Sequence, residues 1–180
     1  MKRLALLCGT MLLFAGLASA QDEAPKVEAF GGYSYLRVNP GAGVTGSNFN
    51  GGSGSLAYNL TPMFGVVADF GGYHWSNSGA DATLVSYLFG PKVALRRGPI
   101  TPFAQVLFGG AHGSGTSFSG TGSANAFAMA VGGGVDWNAT QHIGIRLMQA
   151  EYVLTKFNEG LGNPDHQNNA RISTGVVFRW

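Results

Sequence analysis

The chain has 180 residues and a formal net charge of +2, and only 11% of its residues are charged, against about 25% in typical globular proteins. This length fits one domain. So small a charged fraction disfavours an ordinary water-soluble domain and favours a chain with a non-aqueous neighbour.

The N-terminus is typical of an export signal. A basic start at Met1–Arg3 precedes an apolar run, and the small residues Ala18–Ala20 form a cleavage site. The apolar run is shorter than the roughly 20 residues of a spanning helix, which disfavours a retained anchor. We predict a cleaved signal over 1–20 and one domain over 21–180. Its removal leaves nine basic and nine acidic residues and takes away Cys8, the single cysteine, so neither nucleic-acid binding nor thiol chemistry is expected.

Eight segments with period-two alternation follow, and each is predicted to be a strand. They have about the 9–11 residues, or more, that a tilted strand needs to cross a bilayer. In chain order they are 26–38, 52–60, 63–73, 83–96, 101–112, 126–137, 142–154 and 171–180.

The seventh segment changes phase once. Ile145 and Leu147 share a face, which continues at Ala150 and Tyr152 after a spacing of three. One extra residue in a strand has this effect, so a β-bulge is predicted near Met148–Gln149. A misplaced strand boundary is the alternative.

The connections alternate between short turns and longer polar stretches. Short turns are predicted around 61–62, 98–99 and 138–141, and the longer stretches lie between them. This pattern predicts an all-β, eight-stranded antiparallel up-and-down barrel with both termini on the short-turn side.

The two faces of the strands differ in side-chain size and charge. One face carries the aromatic and large aliphatic residues, and the other carries Gly, Ala, Ser and about one charge per strand. A soluble barrel with an apolar lumen, as in lipocalins, would place many charges on its outer face. The pattern therefore predicts a transmembrane barrel whose bulky face contacts membrane lipid and whose small, charged face lines the lumen.

Eight charged residues fall on the predicted lumen face, four of each sign. Strand adjacency brings Asp136 close to Arg146 and Glu151 close to Arg171, and barrel closure brings Arg179 close to Glu28. We interpret the set as a structural charge network that fills the lumen, since an unpaired charge there is costly; a proton or ion path is the alternative. The set is Glu28, Asp69, Lys92, Asp136, Arg146, Glu151, Arg171 and Arg179.

Several stretches resemble the small eight-stranded outer-membrane barrel family of the OmpA transmembrane domain and OmpX. They are "FGGYSYL", "LFGPKVALR", "VGGGVDW" and the terminal strand. The resemblance implies an outer-membrane location, periplasmic termini and a monomer. The end of the chain, with Val176, Phe178 and Trp180, resembles the signal that the barrel assembly machinery reads in that family.

Two His-x-Ser motifs invite a catalytic interpretation, His74 with Ser76 and His112 with Ser114. The second resembles the motif of an outer-membrane lipid A deacylase, but no Asp or Glu is placed to orient its histidine. No catalytic residue, cofactor or metal site is therefore predicted. The functional prediction is a structural or surface-interaction barrel; a narrow porin-like channel is the second candidate and a lipid A hydrolase the third.

Overall fold

The structure, a computed structural model, describes residues 24–39, 46–77, 80–117, 120–157 and 166–180. The predicted signal peptide lies outside these residues. The backbone forms eight strands: β1 (Val27–Val38), β2 (Ser47–Asn59), β3 (Phe64–Asn77), β4 (Ala80–Ala94), β5 (Ile100–Ser117), β6 (Gly120–Asn138), β7 (Ile143–Phe157) and β8 (His166–Arg179). No helix among the described residues is long and apolar enough to cross a membrane.

The strands form a closed antiparallel barrel in chain order, which confirms the predicted fold class. Each strand pairs with the next, and β8 closes on β1, where Glu28 lies opposite Arg179. Closure satisfies the main-chain hydrogen bonds of both strands that would otherwise be edges, which is what a bilayer requires.

The registers fix the shear of the barrel, which is the number of residues by which a row of paired residues is displaced when it returns to its starting strand. A row of paired residues that starts at Val27 returns to β1 at Arg37, ten residues further on. A shear of ten over eight strands tilts the strands by about 40° from the barrel axis. A row of paired residues therefore climbs towards the long-loop end from β1 to β8.

The strands extend beyond their predicted ends on the long-loop side. The stretches 75–81 and 113–124, predicted as loops, are mostly strand, because β3 ends at Asn77, β4 begins at Ala80, β5 ends at Ser117 and β6 begins at Gly120. In 113–124 the ladder rests on main-chain pairing between residues that are mostly Gly, Ser and Thr. The described residues of the two stretches form no bulky apolar stripe on the outer face, so hydropathy gives no signal.

The short turns are confirmed, and two of them are closed by the same kind of hydrogen bond, from a backbone amide to a threonine hydroxyl. The hydroxyl of Thr61 accepts a hydrogen bond from the amide of Phe64, and that of Thr140 accepts one from Ile143, both at 2.9 Å. Gly98 has a positive φ of 66° in the third turn, which glycine adopts without steric cost.

The predicted β-bulge in β7 is confirmed, one residue before the predicted position. Asp136 pairs with Arg146 while its neighbour Val135 pairs with Met148, so Leu147 is the extra residue. Leu147 and Met148 both face outward and are each 54% exposed. The bulge keeps Arg146 and Gln149 on the lumen face, on either side of the phase change.

Candidate functional site

The barrel interior holds all eight charged residues that were assigned to the lumen. Each is at most 4% exposed. The structure adds a ninth, Arg96, whose side chain is 15% exposed and lies against Glu28. The interior thus carries five cations and four carboxylates.

Glu28 is the centre of the charge cluster near the short-turn end. Its carboxylate accepts hydrogen bonds from Lys92 Nζ at 2.6 Å and from Arg96 Nη2 at 3.0 Å. Arg179 Nε lies 3.4 Å from the same carboxylate. Three cations from two different sides of the barrel therefore meet at one carboxylate.

Asp136 forms the neighbouring cluster. Arg146 Nε donates to it at 2.8 Å, and Arg179 Nη2 donates at 3.3 Å, so Arg179 bridges Glu28 and Asp136. The Arg146 guanidinium also lies 4.2 Å from the ring centroid of Phe30 and 4.4 Å from that of Phe103. Cation–π contacts with two rings replace part of the water that Arg146 loses on burial.

Arg171 organises the cluster nearer the middle of the lumen. Its Nη1 donates to Asp69 at 2.7 Å and its Nε donates to Glu151 at 2.6 Å. The amides of Gln105 and Gln149 donate to the two Glu151 oxygens, each at 2.8 Å. Such multiple satisfaction is what makes a buried carboxylate tolerable.

Gln149 joins the clusters into one network. Its amide oxygen accepts from Arg146 Nη1 at 2.6 Å while its amide nitrogen donates to Glu151. The network is therefore continuous from Glu28, through Asp136 and Arg146, to Arg171. Cooperative polarisation along such a chain rigidifies a buried polar core.

The lumen is less polar than predicted. Two apolar clusters fill the space beside and above the charges, because several strands place large aliphatic or aromatic residues on the inner face as well. The first contains Ala57, Val67, Leu88, Leu107, Ala111, Ala128, Ala130 and Val153, and the second contains Leu36, Phe49 and Tyr73.

Tyr73 connects the upper apolar cluster to the charge network. Its ring lies over Gly71, where an added Cβ would be 2.7 Å from ring atom Cε2. Its hydroxyl lies 3.4 Å from Arg171 Nη1 and 3.3 Å from Ser34 Oγ. Beside it is a cavity of about 20 Å³, lined in part by Ser86, whose hydroxyl has no hydrogen-bond partner among the described residues. This volume is enough for a single water.

The sequence reasoning missed three lumen residues, Arg96, Gln105 and Gln149, although the alternation indicates an inward direction for each of them. Arg96 follows Lys92 by four residues, so two further steps of the alternation place it in the lumen. Gln105 and Gln149 lie on inner positions of β5 and β7, but only formal charges were assigned to the lumen. Neutral amides prove to be the links between its charged clusters.

The His-x-Ser motifs lie on the outer wall near the long-loop end. His112 Nδ1 is 2.8 Å from Asn125 Oδ1, and His74 Nε2 is 3.9 Å from Asp81 Oδ1, too far for a hydrogen bond. Neither serine hydroxyl pairs with a histidine within the described part of the chain. Over the same residues no group of His, Cys, Asp and Glu is arranged to hold a metal ion.

The terminal strand exposes its apolar residues on the outer wall. Val176, Phe178 and Trp180 all face outward, and the rings of Phe178 and Trp180 stack with centroids 6.4 Å apart. Main-chain hydrogen bonds of 3.0 Å join Trp180 to Val27 in both directions, so closure extends to the last residue.

Residues 5–179 match the family described as "Outer membrane protein beta-barrel domain". Among solved structures, Neisserial surface protein A aligns with a TM-score of 0.73 at 13% identity, covering 88% of this chain and all of that one. Ail, the attachment invasion locus protein of Yersinia pestis, aligns with a TM-score of 0.60 at 19% identity over 86% of this chain and 99% of that one. OprG from Pseudomonas aeruginosa gives a TM-score of 0.52 at 11% identity, with 87% and 96% covered. Curated protein sequences contain no significant match.

Proposed function

Because the chain belongs to the outer-membrane β-barrel family, we propose that it is a closed, non-conducting barrel with a structural or surface-interaction role and no catalysis of its own. It works as a monomer surrounded by outer-membrane lipid. Its termini and short turns face the periplasm, and its long loops face the exterior. The assembly machinery reads Val176, Phe178 and Trp180 on the last strand.

The filled lumen is the observation that carries this proposal. Nine charged side chains, the amides that link them and two apolar clusters occupy the interior. Arg171, Leu88 and Leu107 are among the most completely buried side chains. Eight strands leave an interior just wide enough for side chains, so a hydrated ion would have to displace both ion pairs and apolar contacts.

Conductance in a planar bilayer tests the closed lumen against the channel alternative. The protein is first shown to be folded by a migration on SDS gels that differs between boiled and unboiled samples. We expect no discrete current steps from the heat-modifiable fraction. Reproducible steps from that fraction, lost on boiling, would replace the closed barrel by a narrow channel.

A mass-spectrometric assay addresses the hydrolase alternative. Lipid A from cells that express the protein is compared with lipid A from cells that express His112→Ala. The proposal expects the same masses in both, because His112 is held by Asn125 and forms no hydrogen bond with a serine among the described residues. Loss of an acyl chain that depends on His112 would contradict it.

A further inference from the structure

The outer wall carries very few charges. Among the described strand residues, only Arg37, Asp81 and Lys156 combine a formal charge with an outward direction; the other charged residues of the strands face the lumen. Arg37 lies on β1 and Lys156 on β7, with β8 between them. Asp81 lies on β4, in the other half of the wall.

Register and shear place the two cations at nearly the same height. Arg37 pairs with Ala170, which pairs with Tyr152, and Lys156 lies four residues further along β7. The row descends by about 2.5 residues over the two strand steps from β1 to β7, because the shear is ten over eight strands. Lys156 is therefore only about 4 Å higher than Arg37, and their Cα atoms are roughly 15 Å apart.

Among the described side chains, those that lie between the two cations carry no charge, and part of this surface is already ordered by hydrogen bonds. Ala170 and Asn168 of β8 lie between them, and the Asn168 side chain accepts a hydrogen bond of 2.6 Å from the Tyr152 hydroxyl. Arg37 Nη1 donates to Asn48 of β2 at 2.8 Å, which orders its guanidinium on the β2 side of β1. A group that reaches both the guanidinium and the exposed Lys156 ammonium would therefore lie across β8 and β1.

Tyrosine hydroxyls mark the boundary of the apolar band at this level. The hydroxyls of Tyr33 and Tyr35 donate to Asn50 and Asn48 at 2.5 and 2.8 Å, and tyrosines concentrate where a barrel meets the lipid headgroups. Below them Ile172 is 48% exposed on the lipid-facing wall. A lipid with its acyl chains against this wall would have its headgroup beside the cations.

We propose that Arg37 and Lys156, with the Asn168–Ala170 floor, form a site for the phosphate-bearing headgroup of an outer-leaflet lipid. The charge complementarity supports an anion, because no described outward-facing residue of β7, β8, β1 or β2 is a carboxylate. The position at the edge of the apolar band supports a lipid rather than a free anion. The lipid's placement in the outer leaflet rests on the orientation given under Proposed function; the contact itself does not.

Retention of lipid in phosphatidylcholine nanodiscs tests the site. The folded protein is reconstituted with bis-phosphorylated lipid A as the probe, and protein-bound lipid is quantified by native mass spectrometry. The test variant is Arg37→Gln/Lys156→Gln. The matched control, Lys26→Gln/Arg97→Gln, removes two exposed cations at the short-turn end.

We expect the test variant to retain the probe about thirty-fold more weakly, since each basic residue near a lipid surface contributes roughly a fivefold factor. The control and the wild type should retain it equally, and dephosphorylated lipid A should bind all three proteins alike and weakly. Competition by inorganic phosphate alone would identify a free-anion site instead of a lipid site. Equal retention by the two double variants would overturn the proposal. Since nanodiscs contain the probe in both leaflets and carry no current, neither outcome depends on orientation or conductance.

Discussion

Replacement of Arg171 by methionine isolates the energetic role of the lumen network. The change removes the guanidinium that bridges Asp69 and Glu151 and keeps most of the side-chain volume. Both carboxylates are almost completely buried. Removing one partner of a buried ion pair costs about 3–5 kcal/mol, because the remaining charge is left uncompensated.

The two carboxylates are not equally dependent on Arg171. Glu151 keeps the amide donors of Gln105 and Gln149, whereas Arg171 is the single hydrogen-bond donor to Asp69 among the described residues. Neutralising Asp69 in the Arg171→Met background should therefore recover more stability than neutralising Glu151. The triple variant with Asp69→Asn and Glu151→Gln should approach the wild type, because it contains no orphaned charge.

The free energy of unfolding of these variants is measured by urea titration in lipid vesicles, with gel mobility as the folding readout. Arg97→Met, which removes an exposed arginine at the short-turn end, is the control and should change stability by less than about 1 kcal/mol. The reasoning is refuted if Arg171→Met is as harmless as Arg97→Met. It is also refuted if the triple variant is as unstable as the single one.

Three further changes test separate features of the barrel. Gly71→Ala should destabilise the barrel by about 1–3 kcal/mol in the same titration, because its Cβ would meet the ring that crosses the lumen. Gly72→Ala, whose Cβ meets nothing within 4 Å, should be neutral, and equal effects would contradict this packing. Deletion of Met148 should leave a heat-modifiable barrel because it removes the bulge and preserves the alternation, whereas deletion of Tyr152 should not, since it turns Glu151 towards lipid; two folded deletions would exclude this explanation of the bulge. Trp180→Ala should lower the amount of heat-modifiable protein in the outer membrane severalfold without abolishing refolding in detergent, and unchanged levels in cells would remove this residue from the assembly signal.

The faces of the strands were predictable because a bilayer imposes one environment along each of them. Tyr33, Phe70 and Phe108 alternate with buried positions as the lipid boundary requires. The same boundary explains the error at the long-loop ends of β5 and β6. Beyond the lipid, Ser114 pairs with Ser123 through the main chain. There the hydropathy of a side chain no longer indicates whether the residue belongs to a strand.

The lumen was predictable only where strand adjacency decides which residues meet. Asp136 and Arg146 are on consecutive strands, so their approach follows from the turn between them. The pairing of Arg171 with Asp69 does not, because β1 and β2 separate β8 from β3 and the contact crosses the interior. The shear and the barrel radius bring these two side chains to the same height, and both quantities depend on the registers of all eight strands together.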